Sequence, residues 1–117
     1  MDEPEQTAHR FNDAINRRDL DALADLMTED HRFVDTAGSV VDGKPACVDA
    51  WRGFFASFPD YRNEFATVTT TDDRVVIEGR SACSVPELAG PARWHALVRD
   101  GQVVEWRVED PGGQLPV

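Results

Sequence analysis

The spacing of apolar residues changes once along this sequence, close to Pro59. Before that point, apolar positions recur every three or four residues, which is typical of amphipathic helices; after it, they alternate with polar positions, which is typical of half-buried strands. Helices followed by a run of strands indicate an α+β layout. We therefore predict a curved antiparallel sheet that wraps around N-terminal helices.

Three helices are predicted before Pro59. The first covers residues 5 to about 17, and the second follows a capping residue, Asp19, and continues to Met27. The third starts near Pro45, which suits a first helical turn because its missing N–H needs no partner there, and it ends at Pro59. The first two helices are expected to form an αα-hairpin.

The predicted strands are short and closely spaced. One precedes the third helix and four follow it, at residues 31–35, 61–71, 74–85, 92–99 and 103–109. An Asp-Gly pair at positions 100 and 101 predicts a tight turn, which makes the last two strands a hairpin. His31 stands between charged neighbours at the start of the first strand and is interpreted as a solvated surface residue.

The last hairpin also predicts how the chain associates. If His95 and Leu97 point towards the core, then Trp94, Ala96 and Val98 point to the opposite face, which is then apolar as well. The helices can cover only one face of the sheet. We therefore expect a homodimer that buries the outer sheet face, with Trp94 as its anchor.

Composition limits the classes of function. The 117 residues fit one domain, with a core from about residue 5 to 110 and a loosely ordered tail at 111–117. A formal charge of −10 repels the phosphates of nucleic acids and anionic lipid heads, so neither nucleic acid nor a membrane is expected as a partner. The acidic first residues do not resemble a signal peptide, which favours a cytoplasmic location.

No metal or organic cofactor is expected. The histidines His9, His31 and His95 show neither HxH nor HExxH spacing, and the two cysteines, Cys47 and Cys83, lie far apart. This pattern gives little support to a zinc site. Metal-free chemistry is therefore the default hypothesis.

Asp35 is the first candidate for chemistry. It ends the first predicted strand and precedes a glycine-containing turn, which places its carboxylate at a rim. An apolar cavity beside it would raise its pKa towards the working pH, as a general base requires, and four aromatic residues could line that cavity: Phe11, Trp51, Phe55 and Trp106. The alternative interpretation is a turn residue hydrogen-bonded to the backbone.

Three other residues are weaker candidates. His95 could donate to a developing oxyanion or share a proton with Asp35; alternatively, it is an inward histidine bonded to a backbone carbonyl. Asp110 follows the last strand on the phase of Trp106, so it is either a second cavity carboxylate or a residue that caps a strand end or pairs with an arginine. Tyr61 either brings its hydroxyl to the cavity or edges the sheet.

Three stretches carry a family resemblance: NRRDLDALADLMTEDHRFVD, DGKPACVDAWRGFFASFPDY and WHALVRDGQVVEWRVED. They resemble the SnoaL-like members of the nuclear transport factor two-like superfamily over about residues 5–110. The resemblance implies an α+β, cystatin-like cone with an interior pocket.

Within that superfamily, the first half of the chain looks like ketosteroid isomerase. The catalytic base of that enzyme is an aspartate at the end of the first strand, and Asp35 matches its position. Phe11 stands where the isomerase has a tyrosine donor, and His95 stands where it has an aspartic acid donor. The resemblance therefore implies a retained base with both donors replaced. Polyketide cyclases, dehydratases and epoxide hydrolases of this fold also combine Asp and His in the cone.

Two hypotheses about function follow. The first is a cofactor-independent enzyme that isomerises, cyclises or dehydrates a small, largely apolar carbonyl or polyketide-like metabolite, or opens an epoxide. Asp35 would move a proton and His95 would stabilise charge, while aromatic residues hold the substrate. The second is a non-catalytic module of the same fold, for ligand binding or dimerisation.

Overall fold

The computed structural model describes residues 3–111 and has the predicted α+β architecture. The helices are α1 (Glu3–Arg17), α2 (Leu20–Asp25) and α3 (Lys44–Ser57). The strands are β1 (Met27–Val34), β2 (Val40–Asp42), β3 (Arg62–Thr71), β4 (Arg74–Ala82), β5 (Gly90–Arg99) and β6 (Gln102–Glu109). A short 3₁₀ segment covers Pro86–Leu88. Residues 112–117 of the expected tail lie outside the described part of the chain.

The strands form one sheet in the order β2-β1-β6-β5-β4-β3. Neighbours are antiparallel except β1 and β6, which pair in parallel with Phe33 opposite Trp106. The register shifts within the β1/β6, β3/β4 and β5/β6 pairs. Such irregularities increase local twist and bend the strands, so the sheet curves around the space beneath the helices.

Helix α1 packs against the inner face of the sheet. The apolar stripe predicted from its spacing is completely buried: Ala8, Phe11, Ala14 and Ile15. The ring centroid of Phe11 lies 4.6 Å from that of Trp106 on β6. This contact places Phe11 in the core of the domain. None of the helices within residues 3–111 has the length and apolar character that crossing a bilayer requires.

Helix α2 is shorter than predicted. Asp19 caps it as expected, since its carboxylate accepts a 3.0 Å hydrogen bond from the N–H of Ala22. The helix ends at Asp25, and Met27 opens β1 by pairing with Val103. The predicted helical conformation of Met27 is wrong because pairing with β6 satisfies its backbone instead.

The side chains of β5 point the opposite way from the phase that the dimer prediction assumed. Trp94 and Ala96 are completely buried on the inner face, and the Trp94 ring lies 5.3 Å from that of Phe65. His95 and Leu97 are half-buried on the outer face. The inward orientation of His95 and the role of Trp94 as a dimer anchor are therefore wrong: α1 covers the face that carries the apolar series.

Alternating charges cover the outer face of the sheet. The carboxylate of Glu105 on β6 contacts Arg32 of β1 at 2.8 Å and Arg107 at 3.4 Å. On the neighbouring strands, Arg93 contacts Glu78 at 3.0 Å. Cross-strand pairs of opposite charge suit a solvated sheet face. The outer face is therefore not the apolar surface that the sequence predicted.

His31 is buried, so its interpretation as a surface residue is wrong. It is 0% exposed, its ring centroid lies 5.6 Å from that of Phe11, and Nδ1 lies 2.7 Å from the carbonyl oxygen of Val103. Desolvation lowers the pKa of the imidazole, against the opposing effects of the Val103 carbonyl and of the nearby carboxylates of Asp30 and Glu105.

Gly79 lies at a close approach of two strands. It is opposite Phe65, where the register of β3 against β4 begins to shift. A Cβ atom at this position would lie 2.0 Å from the backbone carbonyl oxygen of Glu64. The bulged pairing of β3 and β4 therefore requires glycine here.

Candidate functional site

A cavity of about 580 Å³ lies between α3, the segment 87–91 and the inner face of the sheet. Its apolar lining consists of Phe33, Val41, Ala50, Trp51, Phe54, Leu88, Ala89, Pro91, Ala92, Trp94, Trp106 and Val108. Pockets for drug-sized ligands typically hold roughly 300–1,000 Å³. The cavity is therefore large enough for a small metabolite with a ring system.

The α3 side of the cavity is an aromatic cluster. The Trp51 ring lies 5.5 Å from Phe33 and 5.7 Å from Phe54, both in edge-to-face geometry. Phe54 in turn lies 4.8 Å from Tyr61. Edge-to-face packing of this kind stabilises the rings against each other, so the cluster forms a firm apolar wall.

Asp35 lies at the mouth of the cavity, immediately after β1. Its Oδ1 accepts hydrogen bonds from the backbone N–H groups of Ala37 at 2.9 Å and Ser39 at 3.0 Å. The N–H of Gly38, whose φ is 85°, also donates to the Asp35 carbonyl at 2.9 Å. Asp35 therefore serves the turn and also lines the cavity. The two turn bonds use one carboxylate oxygen, and neither of them uses the other.

All charged residues that line the cavity are acidic: Asp35, Glu87, Glu109 and Asp110. Asp110 thus lies where the phase of β6 predicted it. Two arginines, Arg93 and Arg107, line a smaller cavity of about 240 Å³ that adjoins the mouth and shares Asp35 with it. The potential within the main cavity therefore disfavours anions.

The structure does not bring His95 to the cavity. Its Nε2 lies 2.8 Å from Oε1 of Glu109 on the outer face, and Arg93 approaches the same oxygen at 3.7 Å. The hydrogen bond from His95, followed by the charges of His95, Arg93 and Arg107, lowers the pKa of Glu109. The hydrogen-bond partner of His95 at the cavity mouth is therefore Glu109 and not Asp35.

The other predicted binding residues divide into two groups. Trp51, Tyr61 and Trp106 line the cavity. Phe11 and Phe55 do not: Phe11 packs behind Trp106, and the Phe55 ring lies 5.5 Å from Trp51. These two residues support the aromatic wall from outside the cavity.

Sequence reasoning missed two polar residues that line the cavity, Asn63 and Ser81. They face each other across β3 and β4, and both are nearly inaccessible to solvent. The sequence contains a signal for Ser81, because it shares the inward phase of β4 with Val75 and Ile77, where a polar residue stands out.

Among residues 3–111, no group of three or more His, Cys, Asp or Glu side chains is arranged to hold a metal ion. The polar side chains that line the cavity include carboxylate, hydroxyl and amide groups. Such groups can accept a proton, donate hydrogen bonds and orient a ligand.

Residues 8–111 match the family model of the SnoaL-like domain. A proposed polyketide cyclase from Sinorhizobium meliloti has a similar structure, with a TM-score of 0.81 and 17% identity over 93% of this chain and 100% of that chain. A proposed polyketide cyclase from Streptomyces antibioticus gives a TM-score of 0.77 at 19% identity, covering 94% of this chain and 93% of that chain.

A protein from Catenulispora acidiphila with a ketosteroid isomerase-like fold, solved in complex with trimethylamine, gives a TM-score of 0.79. It is 16% identical, and the alignment covers 89% of this chain and 84% of that chain. At these identities the likeness shows the fold. No curated protein matches this chain.

Proposed function

Because the chain belongs to the SnoaL-like domain family, we propose that it is a small-molecule enzyme that carries out acid–base chemistry without a metal. Its substrate in this proposal is a largely apolar carbonyl or polyketide-like metabolite. The reaction is an isomerisation, a cyclisation, a dehydration or an epoxide opening. The proposal rests on one observation: a carboxylate, Asp35, lies at the mouth of an aromatic-lined cavity.

Asp35 is the proposed proton acceptor. Two backbone N–H groups hold its Oδ1, which fixes the plane of the carboxylate and leaves Oδ2 as the oxygen for a substrate proton. A positioned base gains its efficiency from such pre-arranged geometry. Asp110, which lines the mouth beside it, is the proposed second carboxylate.

The charge of the cavity disfavours an anionic substrate. No Lys, Arg or His is among its lining residues, whereas four carboxylates are. A carboxylate or phosphate group on the substrate would enter against this potential. The Catenulispora acidiphila protein, which has a ketosteroid isomerase-like fold, was solved in complex with trimethylamine, a small molecule without negative charge.

A non-catalytic ligand-binding module is the second candidate. Asp35 serves the turn at residues 35–39, and this role alone would account for an aspartate there. The predicted partner in proton transfer, His95, lies on the other face of the sheet. Under this alternative the cavity binds a ligand and leaves it unchanged.

The first experiment identifies the ligand. The protein is purified from cell extract without denaturation, and molecules released by organic solvent are identified by mass spectrometry. We expect a neutral, ring-containing carbonyl compound. Recovery of only acidic metabolites, such as acyl thioesters of coenzyme A, would contradict the proposal that the cavity disfavours anions.

Asp35→Asn then separates the two candidates. Asparagine keeps the size of the side chain and an oxygen for the turn, but it is a far weaker proton acceptor. General acid–base catalysis contributes ~10²–10⁴-fold, so turnover of the identified compound should fall by about that factor while its affinity persists. Asp42→Asn, at the exposed end of β2, is the matched control and should leave turnover unchanged. Native turnover in Asp35→Asn would refute Asp35 as the base.

We also propose a homodimer through the outer sheet face. The argument now rests on the charges of this face, since the apolar character predicted from the sequence is not observed. Alternating Arg and Glu residues cover this face, and a two-fold axis can set unlike charges opposite each other. The half-buried side chains of Val76 and Leu97 would supply apolar contact between them.

A further inference from the structure

Three polar side chains form a cluster on the otherwise apolar wall of the cavity. The hydroxyl oxygens of Tyr61 and Ser81 lie 3.1 Å apart, and Ser81 donates a 2.8 Å hydrogen bond to Oδ1 of Asn63. All three residues line the cavity, and none is more than 8% exposed. We call this cluster of Tyr61, Asn63 and Ser81 the polar wall.

The polar wall has more donor hydrogens than its three residues can place in hydrogen bonds with one another. Tyr61 and Ser81 each carry one O–H, and Asn63 carries two amide hydrogens. Burial raises the pKa of Tyr61, so its hydroxyl stays protonated at neutral pH. Even if every pair within the cluster made a hydrogen bond, three hydrogens would be used. At least one donor therefore remains for an acceptor from outside the cluster.

An unused donor on a buried wall is costly unless a ligand or water accepts from it. The neighbouring lining residues on β5 are Gly90, Ala92 and Trp94, which have no side-chain acceptor. A ligand that fills the cavity and displaces water must therefore bring an acceptor atom to this wall, or leave the donor unpaired.

Side chains from the C-terminal end of α1 and the residue after it hydrogen-bond to the backbone of the polar wall. The side chain of Asn16 on α1 accepts from the N–H of Asn63 at 2.8 Å and donates to its carbonyl at 2.9 Å. Arg18 donates to the carbonyl oxygen of Tyr61. Asn63 and Ser81 also face each other in the register of β3 and β4. These contacts use backbone atoms of the wall residues, so changes to the wall side chains leave them in place.

We propose that the polar wall binds an acceptor oxygen of the ligand, and that the ligand is therefore a neutral ketone, quinone or similar oxygenated ring compound. The inference rests on the ligand-binding part of the proposed function and does not depend on turnover. It assigns the recognition of a specific substrate atom to the amide of Asn63 in the polar wall, while proton transfer belongs to Asp35 at the mouth.

Two probes of nearly the same shape test the proposal: 2-acetylnaphthalene and 2-isopropenylnaphthalene, in which a methylene group replaces the ketone oxygen. Their dissociation constants are measured by equilibrium dialysis at pH 8. The readout is the ratio of the two constants, compared between native and variant protein. This comparison cancels the different hydration of the two probes, since that difference is the same for every protein.

Asn63→Asp is the first variant. A carboxylate at this position accepts from both Ser81 and Tyr61 and has no hydrogen to offer, so no donor remains for the ligand. One uncharged hydrogen bond changes affinity by about two- to tenfold, so the preference for the ketone should fall by about that factor. Glu64→Gln is the control, since Glu64 is the exposed neighbour of Asn63 on β3 and does not line the cavity, and it should leave the ratio unchanged.

A second variant covers the case in which a buried carboxylate prevents folding. Tyr61→Phe/Asn63→Leu/Ser81→Ala replaces the whole cluster by apolar groups of similar shape, which can be nearly neutral for stability. It should lose the preference for the ketone by the same factor. If these variants bound both probes saturably and with the native ratio, the role of the polar wall would be refuted, but the ligand-binding cavity would not. If neither probe bound the native protein, the ligand-binding cavity and the polar wall would both be refuted.

Discussion

Mild acid should destabilise this protein through His31. The Nδ1 atom lies 2.7 Å from the Val103 carbonyl, so Nδ1 carries the proton and donates it, and the neutral ring has its lone pair on Nε2. Within the described chain, Nε2 is buried and has no hydrogen-bond partner. Protonation of Nε2 would create a buried cation whose second N–H lacks an acceptor. The folded state therefore resists the proton that the unfolded chain takes up readily.

The sign and the size of the effect follow from the pKa of His31. Desolvation lowers it below the ordinary value of 6.5, so at mildly acidic pH the unfolded state binds more protons than the folded state. The contribution of neutral His31 to stability is complete above pH 6.5 and is lost as the pH falls from there towards the folded pKa. The loss cannot exceed about 1.4 kcal/mol per pH unit, the limit for a folded state that binds no proton while the unfolded chain is fully protonated.

Other shifted groups act at lower pH. The pKa values of Asp30, Asp60, Glu105 and Glu109 are lowered from ordinary values of 3.8 or 4.5. Their contributions are present above those values and are lost only as the pH falls below them. The interval from pH 7.5 to 5.5 therefore reports mainly on histidine.

Urea unfolding followed by circular dichroism at several pH values in this interval measures the effect. His31→Asn keeps a donor near the position of Nδ1 but cannot be protonated, so its stability should depend less on pH than that of the native protein. His9→Asn is the control: His9 is partly exposed beside Glu5, and its removal should leave the slope near that of the native chain. Equal slopes for the native protein and His31→Asn would refute the explanation.

Two further predictions concern the sheet. Gly79→Ala places a Cβ atom 2.0 Å from the Glu64 carbonyl oxygen and should lower the free energy of unfolding by about 3 kcal/mol, measured in urea. Gly53→Ala is the control, since no atom lies within 4 Å of the added Cβ, and it should stabilise α3 by up to about 1 kcal/mol. Similar effects of the two substitutions on the free energy of unfolding would contradict the close approach of Gly79 and Glu64. Light scattering at micromolar concentration should show a dimer that Leu97→Arg dissociates; a native monomer would remove the dimer proposal.

The helices and the strand boundaries were largely predictable because they depend on neighbours in sequence. The stripe that contains Phe11 and the cap at Asp19 are local signals, and the structure has both. Met27 and His31 could not be predicted in this way. Their conformations depend on pairing with β6, which lies more than 70 residues further along the chain.

The phase of β5 was predictable from its own alternation, but the sequence analysis assumed the opposite one. Arg93 and Arg99 share the phase of His95, whereas the opposite phase carries Trp94 and a series of apolar residues. Alternation alone favours an inward Trp94. The dimer prediction assumed the opposite phase, with His95 and Leu97 inward. The pattern of the whole strand was the stronger evidence.

The corrected phase changes what the cavity can recognise. Asp35 follows β1, whereas Ser81 lies on β4, and β6 and β5 stand between these strands. At about 4.8 Å per strand, the separation is roughly 14 Å across the strands before the curvature of the sheet is counted. A substrate that places a proton at Asp35 and an oxygen at the polar wall is therefore expected to be elongated, with several rings in line. A two-ring ketone can occupy the polar wall without reaching the base, so the naphthyl probes should bind without being turned over.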